Sequence, residues 1–476
     1  MRSGSRRSRW KVVAWSLLAC LTFIETGTSG AHARASTTAT LRLAPSVGPP
    51  TTRLTVRGIG FDPNEIVDVS FDGGLLRQVR TDERGRFGTK ARTPASALPG
   101  HHTVTAVGES SGSSALATFT VRTDWTKFHF DSSSTGLNPF ENLLSPSNVG
   151  ALTPKWLANV GKVTSSPAVS RGIAYIGVNG SGPIDANLVA LDTSTGTALW
   201  EEVTQGLTAF SPTVWRDFVY LGTLYDHTLR AFDARTGALR WQFVGAGAMV
   251  SPVVAEGRLY AAANSGIIYA LDPTTGVQQW QAQTGIGILA TSPTVAGGML
   301  YIGSSDHSLY ALDAATGALV WTANIGEQTS STPAVSGGVI YIGSDNHNLY
   351  AFDAFTGAPR WSAPTASNVG SSPAVANGLV YVGAGEYVYA FDAAVGKLRW
   401  RVTTGGTIAY ASPIVANGIV YLGSGDDVFY AMDAMSGEVL WTYTTGGPFN
   451  GAAAVVDGVL YVGSFDGNLY AFAAPY

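Results

Sequence analysis

The 476-residue chain is 45% apolar and only 13% charged, carries a formal net charge of −4, and has 57 glycines and one cysteine. Such length and apolar content allow large cores in two or three domains. The mild negative charge argues against nucleic acid as a main partner, and a single cysteine rules out an intrachain disulfide framework.

The chain opens like an export signal. Arg2, Arg6, Arg7, Arg9 and Lys11 form a basic region, Val12 to Ile24 is apolar but short for a membrane span, and Ala31-His32-Ala33 offers a small-x-small cleavage site. A cleaved signal peptide over 1–33 is therefore expected. The Ser5-Arg6-Arg7 to Lys11 text is a loose twin-arginine pattern. Leu17-Leu18-Ala19-Cys20 resembles a lipobox, which makes a lipoprotein anchored through Cys20 one alternative and an uncleaved anchor another. The expected location is secreted or at the cell surface. Cleavage would remove the only thiol, leaving burial and hydrogen bonding to hold the fold.

Residues 36–123 alternate apolar and polar residues in seven short runs: Ala39–Leu43, Arg53–Val56, Ile66–Phe71, Leu75–Arg80, Phe87–Ala91, His102–Val107 and Ala115–Val121. Turn residues such as Gly48-Pro49-Pro50 and Asp72-Gly73-Gly74 separate them. Strands at this spacing predict an Ig-like β-sandwich. The text from Ser46 to Gly108 resembles the bacterial IPT/TIG modules of secreted proteins. Arg77, Arg80, Arg84, Arg86, Lys90 and Arg92 cluster along the central strands. They read either as a solvated hairpin face or as a patch for an anionic wall polymer. His101-His102 reads as strand surface, since no third ligand lies nearby. Residues 124–155 hold Trp125, Phe128, Phe130 and Phe140. They are too aromatic for a free linker, and are expected to be an entry segment packed on the C-terminal domain.

From Trp156 a tryptophan returns about every 40 residues: Trp156, Trp200, Trp241, Trp280, Trp321, Trp361, Trp400 and Trp441. Each repeat offers four strands: an inner SSPAV run, a second run such as Val380–Ala384, a third such as Tyr387–Ala393, and a DxxTG turn leading to the tryptophan strand. A period of this size with four short strands predicts an all-β, eight-bladed β-propeller over 156–476. The last repeat stops before its turn and tryptophan, so Lys155–Val160 is expected to complete the eighth blade. The tryptophans are expected to dock neighbouring blades. The recurring aspartates, Asp192 to Asp433, belong to the turns, whose glycine supplies φ > 0. His227, His307 and His347 occupy equivalent turns in separate blades and cannot converge on one metal.

The loops that vary between repeats share one face, where binding tends to be placed. They put Lys162, Phe210, Met249, Leu289, Gln328, Asn368, Tyr410 and Asn450 around the mouth of the central channel. This ring suits a small planar ligand or a peptide, or equally a water-filled opening.

The repeat SSPAV-x-x-G-x-VY-x-G-S…LYA-[LF]-DA-x-TG-x-x-x-W closely resembles the pyrroloquinoline quinone (PQQ)-type propeller repeat, eight times over residues 156–476. Trp125…Gly136-x-Asn138 looks like that family's entry segment. The family includes quinoprotein alcohol dehydrogenases and BamB-type lipoproteins of outer-membrane assembly, which bind no quinone. The resemblance implies, for an enzyme, PQQ stacked over the channel, a calcium ion and an aspartate base. Glu327 and Asn368 supply two calcium ligands where six or more oxygens are wanted. The blade-to-blade loops contain no aspartate to act as base. The expectation is a monomeric, exported, non-catalytic propeller without cofactor. It would bind a protein, peptide or glycan through Lys162, Glu327, Gln328, Asn368, Tyr410 and Asn450. The alternative is a reduced PQQ-dependent dehydrogenase with calcium.

Overall fold

The computed structural model describes residues 38–179, 187–204, 210–285, 287, 291–409 and 411–475. The leader expected over 1–33 lies outside them, as do Leu289 and Tyr410.

Period-two alternation builds the N-terminal module. Leu54, Val56, Val67, Val69, Phe71, Val104, Ala106, Phe119 and Val121 are buried, while the residues between them are exposed or half-exposed. Pleating sends alternate side chains to opposite faces. One sheet holds Thr40–Ala44, Arg53–Ile59 and Arg86–Arg92. The other orders Val47–Gly48, Ser114–Val121, Gly100–Gly108, Ile66–Phe71 and Gly74–Arg80. The inward side chains of both share one apolar cluster. All seven expected runs are strands, within three residues at either end. The pairing missed by sequence is Val47–Gly48, which lies parallel to Thr120 and Val121 and was concealed by turn residues.

Among the described residues, 153–473 form eight antiparallel sheets. Thr294–Ala296, Met299–Gly303, Ser308–Asp313 and Leu319–Asn324 show the pattern, each strand pairing with the next. Inner strands follow one another around a ring. Ala168–Ser170 neighbours Thr213–Trp215 on one side and Ala454–Val456 on the other. Thr153–Asn159, from the start of the repeats, pairs with Asn468–Ala473 at their end. One sheet departs from the expected pattern. Leu379–Asp392 runs as unbroken strand geometry through Gly385, φ 59°. Its stretch Tyr381–Ala393 is one residue shorter than Tyr341–Ala354 in the sheet before, leaving no room for a separate turn.

The 40-residue period is the chemistry of the joint between sheets. The turn aspartates are consumed locally: Asp313 Oδ1 accepts from Ala315 N at 3.1 Å, Thr316 N at 2.8 Å and Thr316 Oγ1 at 2.7 Å. Gly317 then takes φ 75°. A Cβ there would lie 2.6 Å from the Trp280 ring, so the turn glycine rests on the indole of the preceding sheet. The Trp280 indole N–H and the Tyr260 hydroxyl both donate to the Ala314 carbonyl of that turn, at 3.2 and 3.0 Å. Tyr175 with Trp200 and Tyr381 with Trp400 repeat the pairing on Ala234 and Ala434. At the seam the last sheet has no such turn. Leu152, ahead of the closing strand, offers its carbonyl to Trp441 at 3.1 Å, and the fully buried Tyr421 hydroxyl is left without a partner.

Candidate functional site

The ring of inner strands surrounds a cavity of about 270 Å³. Its wall comes from one sequence position: the residue before the inner-strand proline is Ser166, Ser211, Ser251, Ser292, Thr332, Ser372 and Ser412, and becomes Ala452 in the last repeat. All seven hydroxyl residues line the cavity and are at most 7% exposed. Six bonds join neighbouring sheets around it: Ser166 N to Ser211 Oγ, Ser211 N to Ser251 Oγ, Ser292 N to Thr332 Oγ1, Thr332 N to Ser372 Oγ, Ser372 N to Ser412 Oγ and Ala452 N to Ser166 Oγ, all 2.8–2.9 Å. The proline beside each of the seven hydroxyl residues has no N–H to satisfy. The hydroxyls thus satisfy the buried amides at the centre of the ring, where an unmade bond is costly. This function was not drawn from the sequence, although the recurring Ser/Thr-Pro pair carried it.

The entry segment closes one end of the ring. Trp125 exchanges both backbone bonds with Val169 at 2.7 Å. The carbonyls of Thr126, Ser132, Ser133, Thr135 and Gly136 then accept from Val214, Val295, Val335, Val375 and Val415 of successive inner strands, at 2.7–2.9 Å. Asn138 Nδ2 reaches the Val455 carbonyl at 2.8 Å. One short stretch therefore laces the inner strands of seven sheets together, and its Phe128 forms part of the cavity wall. The tight path needs left-handed backbone at His129 (φ 58°), Phe130 (φ 74°), Ser134 (φ 52°) and Gly136 (φ 63°). Aromatic packing of this segment was legible. Its course across the channel was not, because carbonyls carry no sequence signature.

The segment also buries ionisable groups. Lys127 Nζ donates to the Asp131 carbonyl at 2.7 Å and to Ser134 Oγ at 3.0 Å. Burial pulls the Lys127 ammonium down to about 8 against the opposing pull of Asp131. His129 is pushed down to about 3, first by burial and then by the Lys127 charge. Burial raises the Asp131 carboxyl. His129 is thus a neutral imidazole, with Nδ1 3.3 Å from the Ser134 carbonyl and Nε2 without a partner.

At the opposite end, Phe210, Asn450 and Gly451 from blade-to-blade loops line the cavity. The other expected mouth residues among those described lie elsewhere. Met249 is fully buried in an apolar cluster, with its sulfur against Gly245, so it is core rather than mouth. A long apolar side chain beside a glycine falls into the space the glycine leaves. Lys162, Gln328 and Asn368 are exposed and outside the cavity wall. Lys162 Nζ sits 4.2 Å over the Phe465 ring. Glu327 lies 3.5 Å from His307 Nε2, across two loops on one face. His227, His307 and His347 have φ of 55°, 70° and 67°, as their turns require. No group of three His, Cys, Asp or Glu that could hold a metal occurs among the described residues.

A family model described as outer membrane protein assembly factor BamB matches residues 147–304, 226–328, 305–409 and 384–475. Similar solved structures include BamB from Moraxella catarrhalis, 21% identical, TM-score 0.59, over 68% of this chain and 99% of that one. A europium-containing methanol dehydrogenase is 14% identical, TM-score 0.62, over 74% and 98%. The quinohemoprotein alcohol dehydrogenase of Comamonas testosteroni is 17% identical, TM-score 0.61, over 74% and 80%. At these identities the structures show shared fold alone. A search of curated protein sequences returned no match. The family matches run without a gap from residue 147 to 475, so the chain belongs to the BamB-type family of PQQ-like repeat β-propellers.

Proposed function

We propose that this protein is an exported, non-catalytic binding scaffold: an eight-bladed propeller, each sheet a blade, carrying an Ig-like module of IPT/TIG type ahead of it. The observation that carries the reading is the composition of the channel. The described cavity wall offers hydroxyls, two phenylalanines, one asparagine and backbone, with no carboxylate, imidazole or cation. General acid–base chemistry needs a titratable group within reach of the reacting proton, and this wall supplies none. Nor does it suit a quinone over calcium, because a hard cation takes six to eight oxygens with carboxylates among them. At about 270 Å³ the space is also at the lower limit of small-ligand sites.

Binding is assigned to the face of varying loops, where Lys162, Glu327, Gln328, Asn368 and Asn450 stand, together with Tyr410, whose placement is not described. BamB is named for outer-membrane assembly, and by analogy the partner is a polypeptide. Among the described residues no helix is long and apolar enough to cross a membrane, so attachment to a surface would fall to the leader or to a partner.

Immobilised full-length protein should capture a specific component from a surface extract. The double variant Glu327→Lys, Asn368→Lys should lose it, while Arg360→Ala on the turn side should not. Equal capture by all three proteins would sink the loop-face assignment. Incubation with PQQ and calcium should leave no quinone absorbance on the protein after desalting. Retained quinone together with dye reduction by alcohols would replace this reading with the dehydrogenase.

A further inference from the structure

The outward face of the three-stranded sheet in the N-terminal module is a cation lattice. Cross-strand register fixes its members. Arg42 lies opposite Arg57 and Arg57 opposite Gly88; Arg53 lies opposite Arg92; Thr40, Ile59 and Arg86 form one row, and Ala44, Thr55 and Lys90 another. Of these eleven outward positions, six are Arg or Lys and none is Asp or Glu. Along a strand same-face residues are about 7 Å apart and neighbouring strands about 5 Å, so six positive charges share a patch roughly 10 by 20 Å.

This arrangement works against the sheet. Like charges directly opposite one another destabilise a β-ladder, and two such pairs occur here, Arg42 with Arg57 and Arg53 with Arg92. Among the described residues only Arg86 of the six has an ion pair, with Asp82 at 3.0 Å and on the surface. Cross-strand acids would relieve the repulsion at no cost to the fold, and none is present. The face is therefore built for a ligand that brings the missing negative charge.

The shape indicates which one. Gly88, at the centre, has nothing within 4 Å of where a Cβ would stand. Two shallow hollows meet there, sharing Arg57 and Gly88. One adds Arg80, Arg86 and the Asp82 carboxylate paired with Arg86, the other Arg77 and Lys90. Together they make a groove along Arg86–Arg92 with guanidinium groups on both walls. Arginine forks pair bidentately with oxyanions. The cations stand closer together than the acids of a glycan carrying one carboxylate per disaccharide. No aromatic side chain is exposed on the face for a base to stack upon, which removes the usual anchor of single-stranded nucleic acid. Ile59 is its one exposed large apolar group, too little to seat the module in a bilayer interface.

We propose that this groove binds a linear, base-free phosphodiester polymer such as poly(glycerol phosphate). The inference concerns a site separate from the loop face of the propeller and stands or falls without it.

The test uses full-length protein and fluorescently labelled poly(glycerol phosphate), followed by anisotropy across salt concentrations. About five neutralised phosphates give a log–log salt slope near −3.5, or roughly a hundredfold loss of affinity between 50 and 200 mM salt. Arg57→Ala with Lys90→Ala should reduce that slope by about 1.4. Gly88→Glu, which places a carboxylate in open space, should abolish binding with an unchanged urea midpoint. Arg53→Thr with Arg92→Thr should weaken binding while raising the urea midpoint, a pair of effects that a purely structural role would not give. Binding left intact by Gly88→Glu, or a salt slope near zero, overturns the site. Equal or tighter binding of oligo-dT, hyaluronan or anionic vesicles overturns the choice of a base-free phosphodiester chain.

Discussion

Replacing His129 with asparagine should remove a specific acid sensitivity of the propeller. The imidazole is fully buried in the entry segment, and burial, then the Lys127 charge, holds its pKa at about 3, against about 6.5 in an unfolded chain. Between those values the unfolded chain binds a proton that the native protein refuses, so stability falls as pH drops through this window. Carrying the two pKa values through the linkage relation gives a loss of about 2 kcal/mol between pH 7 and pH 5. Asparagine is the right probe for two reasons. Its side-chain amide can donate to the Ser134 carbonyl now 3.3 Å from Nδ1, and asparagine tolerates the left-handed φ of 58° found there. Urea unfolding followed by tryptophan fluorescence at pH 7 and pH 5 reads the effect. The wild type should lose about 2 kcal/mol more than His129→Asn over that interval. Groups common to both proteins cancel, including Asp457, which titrates in the opposite sense. Parallel pH profiles would refute the argument, because they would mean that the imidazole is solvated or already charged in the native state.

Asp457 is the counterweight. Burial, with Glu141 and Asp124 nearby, raises its carboxyl to about 6 despite the bond from Thr123 N at 3.0 Å. The native state therefore holds a proton between about 4 and 6 that the unfolded chain has released, and this stabilisation is lost as pH rises through 6. Asp457→Asn should gain about 3 kcal/mol at pH 8 and little near pH 4; denaturation at the two pH values checks it. Gly357→Ala should cost about 3 kcal/mol, since its Cβ would lie 2.6 Å from the Trp321 ring at φ 70°. Gly378→Ala, at φ 76° with nothing within 4 Å, should cost only about 1 kcal/mol, and equal urea midpoints would remove the indole contact from the account. Ser372→Ala orphans the buried Thr332 N–H, now 2.9 Å from Ser372 Oγ, and should cost about 1–3 kcal/mol. Ser372→Thr should be tolerated, and calorimetry distinguishes the two.

Legibility in the sequence divides along a physical line. Interactions made by a side chain at a fixed position in each repeat were legible, because repeated copies of one contact leave repeated copies of the same residue. The tryptophan and the turn glycine are two halves of one joint, Trp280 against Gly317, and the 40-residue period is the distance between successive joints. The final repeat could likewise be seen to need an outer strand from elsewhere, and Thr153–Asn159 pairs with Asn468–Ala473. Contacts made through backbone were hidden. The entry segment joins the inner strands through six carbonyls, and carbonyls belong to every residue. The only trace in the sequence was a run of small polar residues, Ser132 to Thr135, between aromatics.

The misplaced mouth residues reflect the same distinction. Loop position predicts which face a residue is near but not whether its side chain points outward. Met249 turned inward because Gly245 leaves room for its sulfur. Asn450 stayed at the channel, in a repeat where Ala452 replaces the serine found at that position in six of the other seven. That replacement matters for the candidate site. Seven hydroxyls and one methyl make the channel wall asymmetric, and the asymmetry lies beside Asn450 and Gly451, in the last repeat and next to the seam where the chain closes. A ligand or peptide end entering the channel would meet one amide side chain at one place on the wall rather than an even ring of hydroxyls. Ala452→Ser would restore the even ring while leaving the Ala452 N–H to Ser166 Oγ bond of 2.8 Å in place. A partner that reads the gap should then bind more weakly at unchanged stability, whereas a partner held only by the outer loops should bind both proteins alike.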